Sequence, residues 1–198
     1  MPDLSIEREC GGIVAGVDEA GRGPWAGPVV AAAVILPADL PGELAGTLDD
    51  SKKLTEARRE NLFAALRRCA GIDIGIGAAS VTEIEEQNIL AATCIAMRRA
   101  LGALGCVPDT ALIDGNRLPP GLPCAGRTVV KGDSLSVSIA AASIVAKVTR
   151  DRIMTALGYG PRQHRDGLAA AGVTCHHRRT YAPIAKMLSP DDSDTPHI

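Results

Sequence analysis

The chain has 198 residues, of which 46% are hydrophobic and 22% charged, so it can bury the core of one α/β domain and is not an intrinsically disordered protein. Its net charge of −2 is not typical of a protein that coats nucleic acid through bulk positive charge, but it is compatible with a nucleic-acid enzyme whose acids hold metal ions. The six scattered cysteines form no C-x-x-C pair, the N-terminus is polar, and no apolar run is long enough to cross a bilayer. A cytoplasmic protein with reduced thiols and no membrane contact is expected.

Apolar runs bounded by glycine and proline predict two strands near the N-terminus, GGIVAGVD (11–18) and PVVAAAVILP (28–37), joined by an acidic, glycine-rich turn. Residues 37–53 are rich in proline, glycine and aspartate and are predicted to form a loop. Thr55 is the expected N-cap of a helix over 56–69.

Strands and helices are then predicted to alternate. A strand over 72–80 is followed by one or two helices in 81–104. Two short strands, TALID (110–114) and GRTVVKGD (126–133), precede a long alanine-rich helix over 134–157 that has a serine near its start. This order predicts an α/β fold in which a mixed central sheet is flanked by helices on both faces.

Acidic residues lie where three of the apolar strands are predicted to end, each beside a glycine: Asp18 with Glu19, Asp114, and Asp133. Sites form at strand ends in open α/β sheets, and carboxylates that share one point need cations to offset their repulsion. Such oxygen ligands suit Mg²⁺ or Mn²⁺, and two ions about 4 Å apart can stabilise both oxygens in phosphodiester cleavage. Alternatively, each aspartate is only a turn residue, and the pattern alone leaves both interpretations open.

The chain resembles bacterial ribonuclease HII in five long motifs, from about residue 12 to 185: GVDEAGRGPWAGPVVAAAVIL, DDSKKLTEARRENLF, LIDGN, KGDSLSVSIAAASIVAKVTRDR and HRRTYAP. The resemblance implies a ribonuclease H-like fold in one catalytic domain, residues 1–186, with a short helical C-terminal segment and a flexible tail at 187–198. It also implies a metal-dependent endonuclease that acts as a monomer on RNA–DNA hybrids and on duplex DNA containing a ribonucleotide. The expected cut lies 5′ of the ribonucleotide and leaves 3′-OH and 5′-phosphate ends.

The resemblance assigns roles to individual residues. The four catalytic acids of the family, which bind two Mn²⁺ or Mg²⁺ ions, correspond to Asp18, Glu19, Asp114 and Asp133. Its substrate-binding residues correspond to Gly21, Arg22, Gly23, Lys52, Ser143, Lys147 and Tyr159.

The Gly21–Arg22–Gly23 motif is expected to recognise a ribose. Glycines lack Cβ atoms, so their backbone can approach the sugar and hydrogen-bond its 2′-OH, while Arg22 holds the adjacent phosphate. Tyr159 is expected to pack on the nucleotide at the junction. Arg178 and Arg179 are interpreted as phosphate contacts.

Two alternatives share parts of this pattern. Ribonuclease HIII has the same fold, but it carries a further N-terminal domain, for which the short stretch before the first motif leaves no room, and lysine where Arg22 stands. A non-catalytic module that binds nucleic acid or a nucleotide gains nothing from four uncompensated carboxylates.

Overall fold

The computed structural model describes residues 1–159 and 172–189, and within them five strands form one mixed sheet. The strands, in chain order, are β1 (Val14–Ala20), β2 (Val29–Ile35), β3 (Asp73–Ala79), β4 (Thr110–Asp114) and β5 (Ala125–Val129). Their order across the sheet is β3-β2-β1-β4-β5. β2 pairs antiparallel with β1 and β3, whereas β4 pairs parallel with β1 and β5. The strand that carries Asp18 is therefore central.

Helices cover both faces of this sheet. They are α1 (Ser5–Cys10), α2 (Gly42–Ala45), α3 (Glu56–Arg68), α4 (Val81–Gln87), α5 (Ile89–Gly102), α6 (Val137–Ala156) and α7 (Ala182–Leu188). α5 packs across β1, β2 and β3 on one face, and α6 packs across β1 and β2 on the other, with α3 against it. The predicted mixed sheet between two helical layers is confirmed. None of the helices in the described ranges has the length and apolar character needed to cross a bilayer.

Side-chain caps explain where the central helices begin. Thr55 accepts a hydrogen bond from the Arg58 amide, as expected for the N-cap of α3. The segment 81–104 forms two helices because Asn88, with φ +70°, ends α4 and caps α5. In α4, Glu83 closes a capping box and also pairs with Arg99 at 2.8 Å, and these hydrogen bonds lower the pKa of Glu83 to about 2.

Several predicted boundaries differ from the structure. The last strand ends at Val129, because Lys131 adopts a left-handed conformation (φ +57°), and Asp133 lies in a 3₁₀ turn over Gly132–Ser134. The long helix starts after Ser136, whose hydroxyl accepts from the Ile139 amide at 3.2 Å. The short helices α1 and α2 were not predicted; α2 lies inside the predicted loop 37–53. The predicted tail 187–198 begins within the last turn of α7, and residues 190–198 lie outside the described ranges.

β1 and α6 approach each other more closely than side chains allow. A Cβ atom on Gly16 would lie 2.2 Å from the carbonyl carbon of Ser138 and 2.3 Å from the Ile139 nitrogen, both in the α6 backbone. Gly16 therefore lets α6 lie directly on β1, two residues before Asp18. This contact fixes the distance between the acid-bearing strand and the helix beneath it.

Candidate active site

Three acidic side chains from different parts of the chain meet where the neighbouring strands β1 and β4 end. Asp18, Asp114 and Asp133 each offer a carboxylate oxygen, and these oxygens lie within 4.8 Å of one another. The parallel register of β1 and β4 pairs Val17 with Ile113, which puts the following residues, Asp18 and Asp114, side by side. We call these three acids the acidic cluster.

The turn that carries Asp133 is attached to the neighbouring acid. The Gly132 amide donates to Asp114 Oδ1 at 2.7 Å. The Ser136 amide then donates to the Gly132 carbonyl at 2.8 Å, which joins the turn to the start of α6. Asp133 reaches the acidic cluster through this short turn and not as the last residue of a strand.

Glu19 does not belong to the acidic cluster, because successive residues of a strand face opposite sides of the sheet. Asp18 faces α6, whereas Glu19 lines a cavity of about 260 Å³ together with Thr93 and Cys94 of α5. Glu19 Oε1 accepts from Arg22 Nη1 at 3.2 Å. The structure thus brings three of the four predicted acids together and places the fourth, Glu19, beside them, where it shares a cavity with Asp114.

Burial and mutual repulsion disfavour the charged forms of these acids. Asp18 is 4% exposed, and burial raises its pKa well above the ordinary value, with repulsion by Glu19 and Asp114 adding to the shift. Burial also raises the pKa of Asp133, with Asp114 and then Asp50 contributing. Burial raises the pKa of Glu19 too, against the opposing effect of Arg22.

The donor set of the acidic cluster fits a divalent cation. Its ligand atoms are carboxylate oxygens, which hard ions such as Mg²⁺ and Mn²⁺ prefer. A bound cation would stabilise the charged carboxylates, which burial otherwise disfavours. The cluster is therefore chemically suited to hold such an ion.

Ser143 lies behind the acidic cluster. It is 3% exposed, its hydroxyl lies 2.8 Å from the Ser51 hydroxyl, and a hydrogen bond from it to Asp18 acts to lower the pKa of that carboxyl. This arrangement orients Asp18 and connects it to the 49–53 segment.

A cleft of about 580 Å³ opens beside Glu19, and six of the predicted substrate-binding residues line it: Gly21, Arg22, Gly23, Lys52, Ser143 and Lys147. Lys52 Nζ lies 3.9 Å from Asp133 Oδ2 on a side chain that is 77% exposed. Lys147 instead pairs with Asp151, one turn along α6. The cleft thus combines a glycine-rich backbone, lysines and nearby acids.

Tyr159 lines a neighbouring cavity of about 570 Å³, which shares Lys147 and Arg150 with the cleft. Its ring packs edge-on against His176 and His177, and its hydroxyl hydrogen-bonds the Thr174 hydroxyl. Tyr159 is the last described residue before 160–171, which lie outside the described ranges.

The interpretation of Arg178 as a phosphate contact is wrong. Arg178 is fully buried, and its guanidinium donates to backbone carbonyls of the glycine loop, residues 21–28, which joins β1 to β2. Arg179 is exposed, and its backbone amide donates to Glu85 Oε1 at 2.6 Å. Two adjacent arginines look alike in the sequence, and no local signal shows that one of them is buried.

Replacing Asp18 with asparagine is expected to stabilise the metal-free protein. Because the pKa of Asp18 is raised on folding, the folded state binds this proton more tightly than the unfolded state, and stability falls as pH rises from the ordinary aspartate range through the raised value. The substituted asparagine keeps an oxygen for the Glu19 amide but has no charge. We expect a gain of about 1 kcal/mol at pH 8 in EDTA and a smaller gain at pH 4, measured by thermal unfolding.

Asp39→Asn, at an exposed loop position, is the matched control and should leave the melting temperature unchanged at both pH values. A lower melting temperature for Asp18→Asn than for wild type at pH 8 would contradict the electrostatic account.

Comparisons with known proteins agree on one family. The family model for ribonuclease HII matches residues 15–181. Ribonuclease HII of Granulibacter bethesdensis is 56% identical, with 96% of this chain and 92% of the relative covered. Ribonuclease HII of Paramagnetospirillum magneticum is also 56% identical, with 95% and 99% covered.

Solved structures show the same fold. Ribonuclease H2 from Pyrococcus horikoshii OT3 matches with a TM-score of 0.72 at 29% identity, over 88% of this chain and 96% of that one. Bst-RNase HIII in complex with Mn²⁺ matches with a TM-score of 0.73 at 18% identity, over 95% and 73%, which shows a shared fold alone. The chain therefore belongs to the ribonuclease HII family of phosphodiester-hydrolysing nucleases and has the ribonuclease H-like fold that its motifs implied.

Proposed function

We propose that the protein is a divalent-metal-dependent endonuclease that cleaves the RNA strand of RNA–DNA hybrids and incises duplex DNA 5′ of an embedded ribonucleotide. The products would carry 3′-OH and 5′-phosphate ends. The observation that carries this proposal is the convergence of Asp18, Asp114 and Asp133 within 4.8 Å, next to a cleft lined by Gly21, Arg22 and Gly23. Acids that favour divalent cations thus lie beside a backbone surface that a sugar can approach.

Asp18, Asp114 and Asp133 would hold the cations, with Glu19 contributing from beside them. Mn²⁺ and Mg²⁺ are the proposed cofactors, because both prefer oxygen ligands and share their coordination with phosphate. When bound, two such ions supply charge stabilisation for the attacking and leaving oxygens of a phosphodiester. Ser143 would keep the Asp18 carboxylate in the orientation that this binding requires.

The glycine loop would recognise the ribose. Gly23 is exposed, and no atom lies within 4 Å of the position that a Cβ would take there, so a substrate can reach the backbone. A nearby N–H or carbonyl can then hydrogen-bond a 2′-OH, the group that distinguishes RNA from DNA. The half-exposed Arg22 uses one Nη atom on Glu19, and the rest of its planar fork is available to a phosphate next to the metal-binding acids.

Lys52 and Tyr159 would contact the substrate on either side of this point. The exposed Lys52 ammonium lies near Asp133, so it would hold a backbone phosphate close to the acidic cluster. Tyr159 lines the adjoining cavity, and an aromatic ring there would pack on a nucleotide without reading its base. Lys147 lines both cavities, paired with Asp151, and would contact the substrate between them.

The acidic cluster and the cleft lie within residues 1–186, the range proposed as one catalytic domain, and the protein is proposed to act as a monomer. The six cysteines are free thiols, which supports a cytoplasmic location.

A nicking assay tests the proposal. An end-labelled DNA duplex with one ribonucleotide is incubated with the protein and Mg²⁺ or Mn²⁺, beside an all-DNA duplex of the same sequence and an RNA–DNA hybrid. We expect one nick 5′ of the ribonucleotide, cleavage of the hybrid, no cutting of all-DNA, and no reaction in EDTA. Equal cutting of the all-DNA duplex would refute ribose recognition, and activity in EDTA would refute the metal requirement.

Lys52→Ala is expected to weaken substrate binding without changing where the nick falls. For duplex DNA, each phosphate contact that is lost reduces the magnitude of the slope of log Kobs against log salt concentration by about 0.9. Lys52→Ala should therefore have a slope that is smaller in magnitude by about 0.9 than that of wild type. Binding is measured by fluorescence anisotropy over a range of salt concentrations, in Ca²⁺ to prevent cleavage.

Lys53→Ala is the matched control, since Lys53 Nζ pairs with Asp49 at 3.1 Å on an exposed surface. An unchanged salt slope for Lys52→Ala would contradict the phosphate contact.

A further inference from the structure

Arg178 is a buried cation at the base of the glycine loop, in the segment that precedes α7. Its relative exposure is 0%. All five N–H bonds of its guanidinium reach acceptors, namely the carbonyl oxygens of Gly27 (3.0 and 2.8 Å), Gly21 (2.6 Å) and Arg22 (3.0 Å), and the hydroxyl of Tyr181 (3.1 Å). The Tyr181 hydroxyl in turn donates to the Arg22 carbonyl at 2.8 Å. The fork is fully used inside the protein, so Arg178 cannot contact substrate.

The partners of Arg178 are unusual for a buried charge. In residues 1–159 and 172–189, no carboxylate forms a salt bridge with it. Burial lowers the pKa of the guanidinium, which shows that its environment disfavours the charged form. An apolar residue would avoid that cost. What the cation provides instead is a rigid, planar set of donors that fixes three backbone carbonyls relative to one another.

The glycine loop has an unusual backbone conformation, which two of its glycines make possible. Gly21 and Gly27 adopt φ values of +101° and +80°, a backbone region that residues other than glycine rarely occupy. A second buried arginine, Arg150 of α6, donates to the carbonyls of Ala26 and Pro28 at 3.0 and 3.2 Å. Two guanidiniums from separate parts of the chain thus hold the inner side of the loop.

The exposed side of the same loop is the proposed ribose sensor. The Gly21 and Arg22 carbonyls that Arg178 holds belong to peptide units whose N–H groups are on Arg22 and Gly23, so holding these two carbonyls fixes the amides of Arg22 and Gly23. Catalytic rates respond strongly to placement, since a shift of about 1 Å can cost roughly a hundred-fold.

We infer that Arg178 is a positioning residue for ribose recognition, which sets the place of the Arg22 and Gly23 amides through the carbonyls that it holds. The inference rests on the proposed role of the glycine loop as the ribose sensor. Substrate specificity would then depend in part on Arg178, a residue in the second half of the sequence that does not contact the substrate.

The test compares Arg178→Lys with wild type on two DNA duplexes. They differ only in the 2′ substituent of one nucleotide, which is OH in the first duplex and fluorine in the second. Lysine keeps the charge but offers three donors from a point and no planar fork. We expect kcat on the 2′-OH duplex to fall about ten- to a hundred-fold with KM little changed, and the preference for 2′-OH over 2′-fluoro to fall by the same factor. Mn²⁺ affinity, measured by calorimetry, should stay at the wild-type value.

Arg68→Lys is the matched control, because this exposed arginine in the last turn of α3 undergoes the same chemical change and should keep the full preference. Tyr181→Phe is a milder second variant that removes only the hydroxyl between Arg178 and the Arg22 carbonyl, and it should lower the preference less. It keeps the inference testable if Arg178→Lys does not fold.

The outcomes separate the two hypotheses. If wild type does not prefer the 2′-OH duplex, the proposed function itself fails. If wild type shows the preference and both Arg178→Lys and Tyr181→Phe retain it in full, the positioning role is overturned. Loss of Mn²⁺ affinity in parallel with activity would also overturn it, because Arg178 would then support the whole site and not the sensor.

Discussion

Asp133→Asn is expected to lower the nicking rate on a ribonucleotide-containing duplex by on the order of a thousand-fold, because bound cations supply several kcal/mol of transition-state stabilisation. Asp133 contributes one of the three oxygens that lie within 4.8 Å of one another. Asparagine has nearly the same shape but removes the charge that draws a cation to this point. The measurement is single-turnover cleavage in Mg²⁺ at saturating protein.

Thermal unfolding of Asp133→Asn in EDTA should show a protein at least as stable as wild type, since burial and the neighbouring Asp114 and Asp50 raise the pKa of this carboxyl. The inactive variant is therefore expected to be folded. The exposed Asp39→Asn control should cleave at the wild-type rate. A rate for Asp133→Asn within about tenfold of wild type would contradict its role as a metal ligand.

Gly16→Ala is expected to lower the free energy of unfolding by about 3 kcal/mol or more, because a Cβ there would lie 2.2 Å from the α6 backbone. No side-chain rotation relieves that overlap, so α6 must move away from β1. Such a shift would also separate Ser143 from Asp18, and the residual folded protein should cleave more slowly. Urea unfolding followed by circular dichroism measures the change.

Gly102→Ala is the control for this substitution. Gly102 ends α5, and no atom lies within 4 Å of the position its Cβ would take. Alanine favours helix over glycine by up to about 1 kcal/mol, so the control should be neutral or stabilising. An unfolding free energy for Gly16→Ala within about 1 kcal/mol of wild type would show that the two elements are not in rigid contact.

The parts of the fold that follow from local chemistry were predictable from the sequence. The apolar runs of β1 and β2 have bounding glycines and prolines, and Thr55 has the side chain that an N-cap requires. The short helices α1 and α2 were missed because helices of one or two turns depend on tertiary packing more than on propensity. The start of α6 was placed too early because Ser134 and Ser136 are both suitable caps, and only the turn around Asp133 decides between them.

The sequence identified the acidic residues of the site, but it predicted less well how they are arranged in space. Asp18 and Asp114 were recognisable because each lies at or near the end of an apolar strand beside glycine. β1 continues to Ala20, two residues beyond its predicted end. Because successive side chains of a strand leave on opposite sides of the sheet, the Glu19 side chain starts on the side opposite to that of Asp18. The burial of Arg178 and the contact between Ser143 and Ser51 depend on residues distant in the sequence, so no local pattern shows them.

Calorimetric titration of Mn²⁺ into metal-free wild type and Asp114→Asn tests most directly whether the acidic cluster holds a divalent cation. Wild type should bind with release of protons and more tightly as pH rises, because the pKa values of Asp18 and Asp133 are raised in the metal-free protein. Asp114→Asn should bind more than about a hundred-fold more weakly, since it removes the negative charge of a direct ligand and not only a supporting hydrogen bond. Equal Mn²⁺ affinity in the two proteins would contradict a metal site at these three acids.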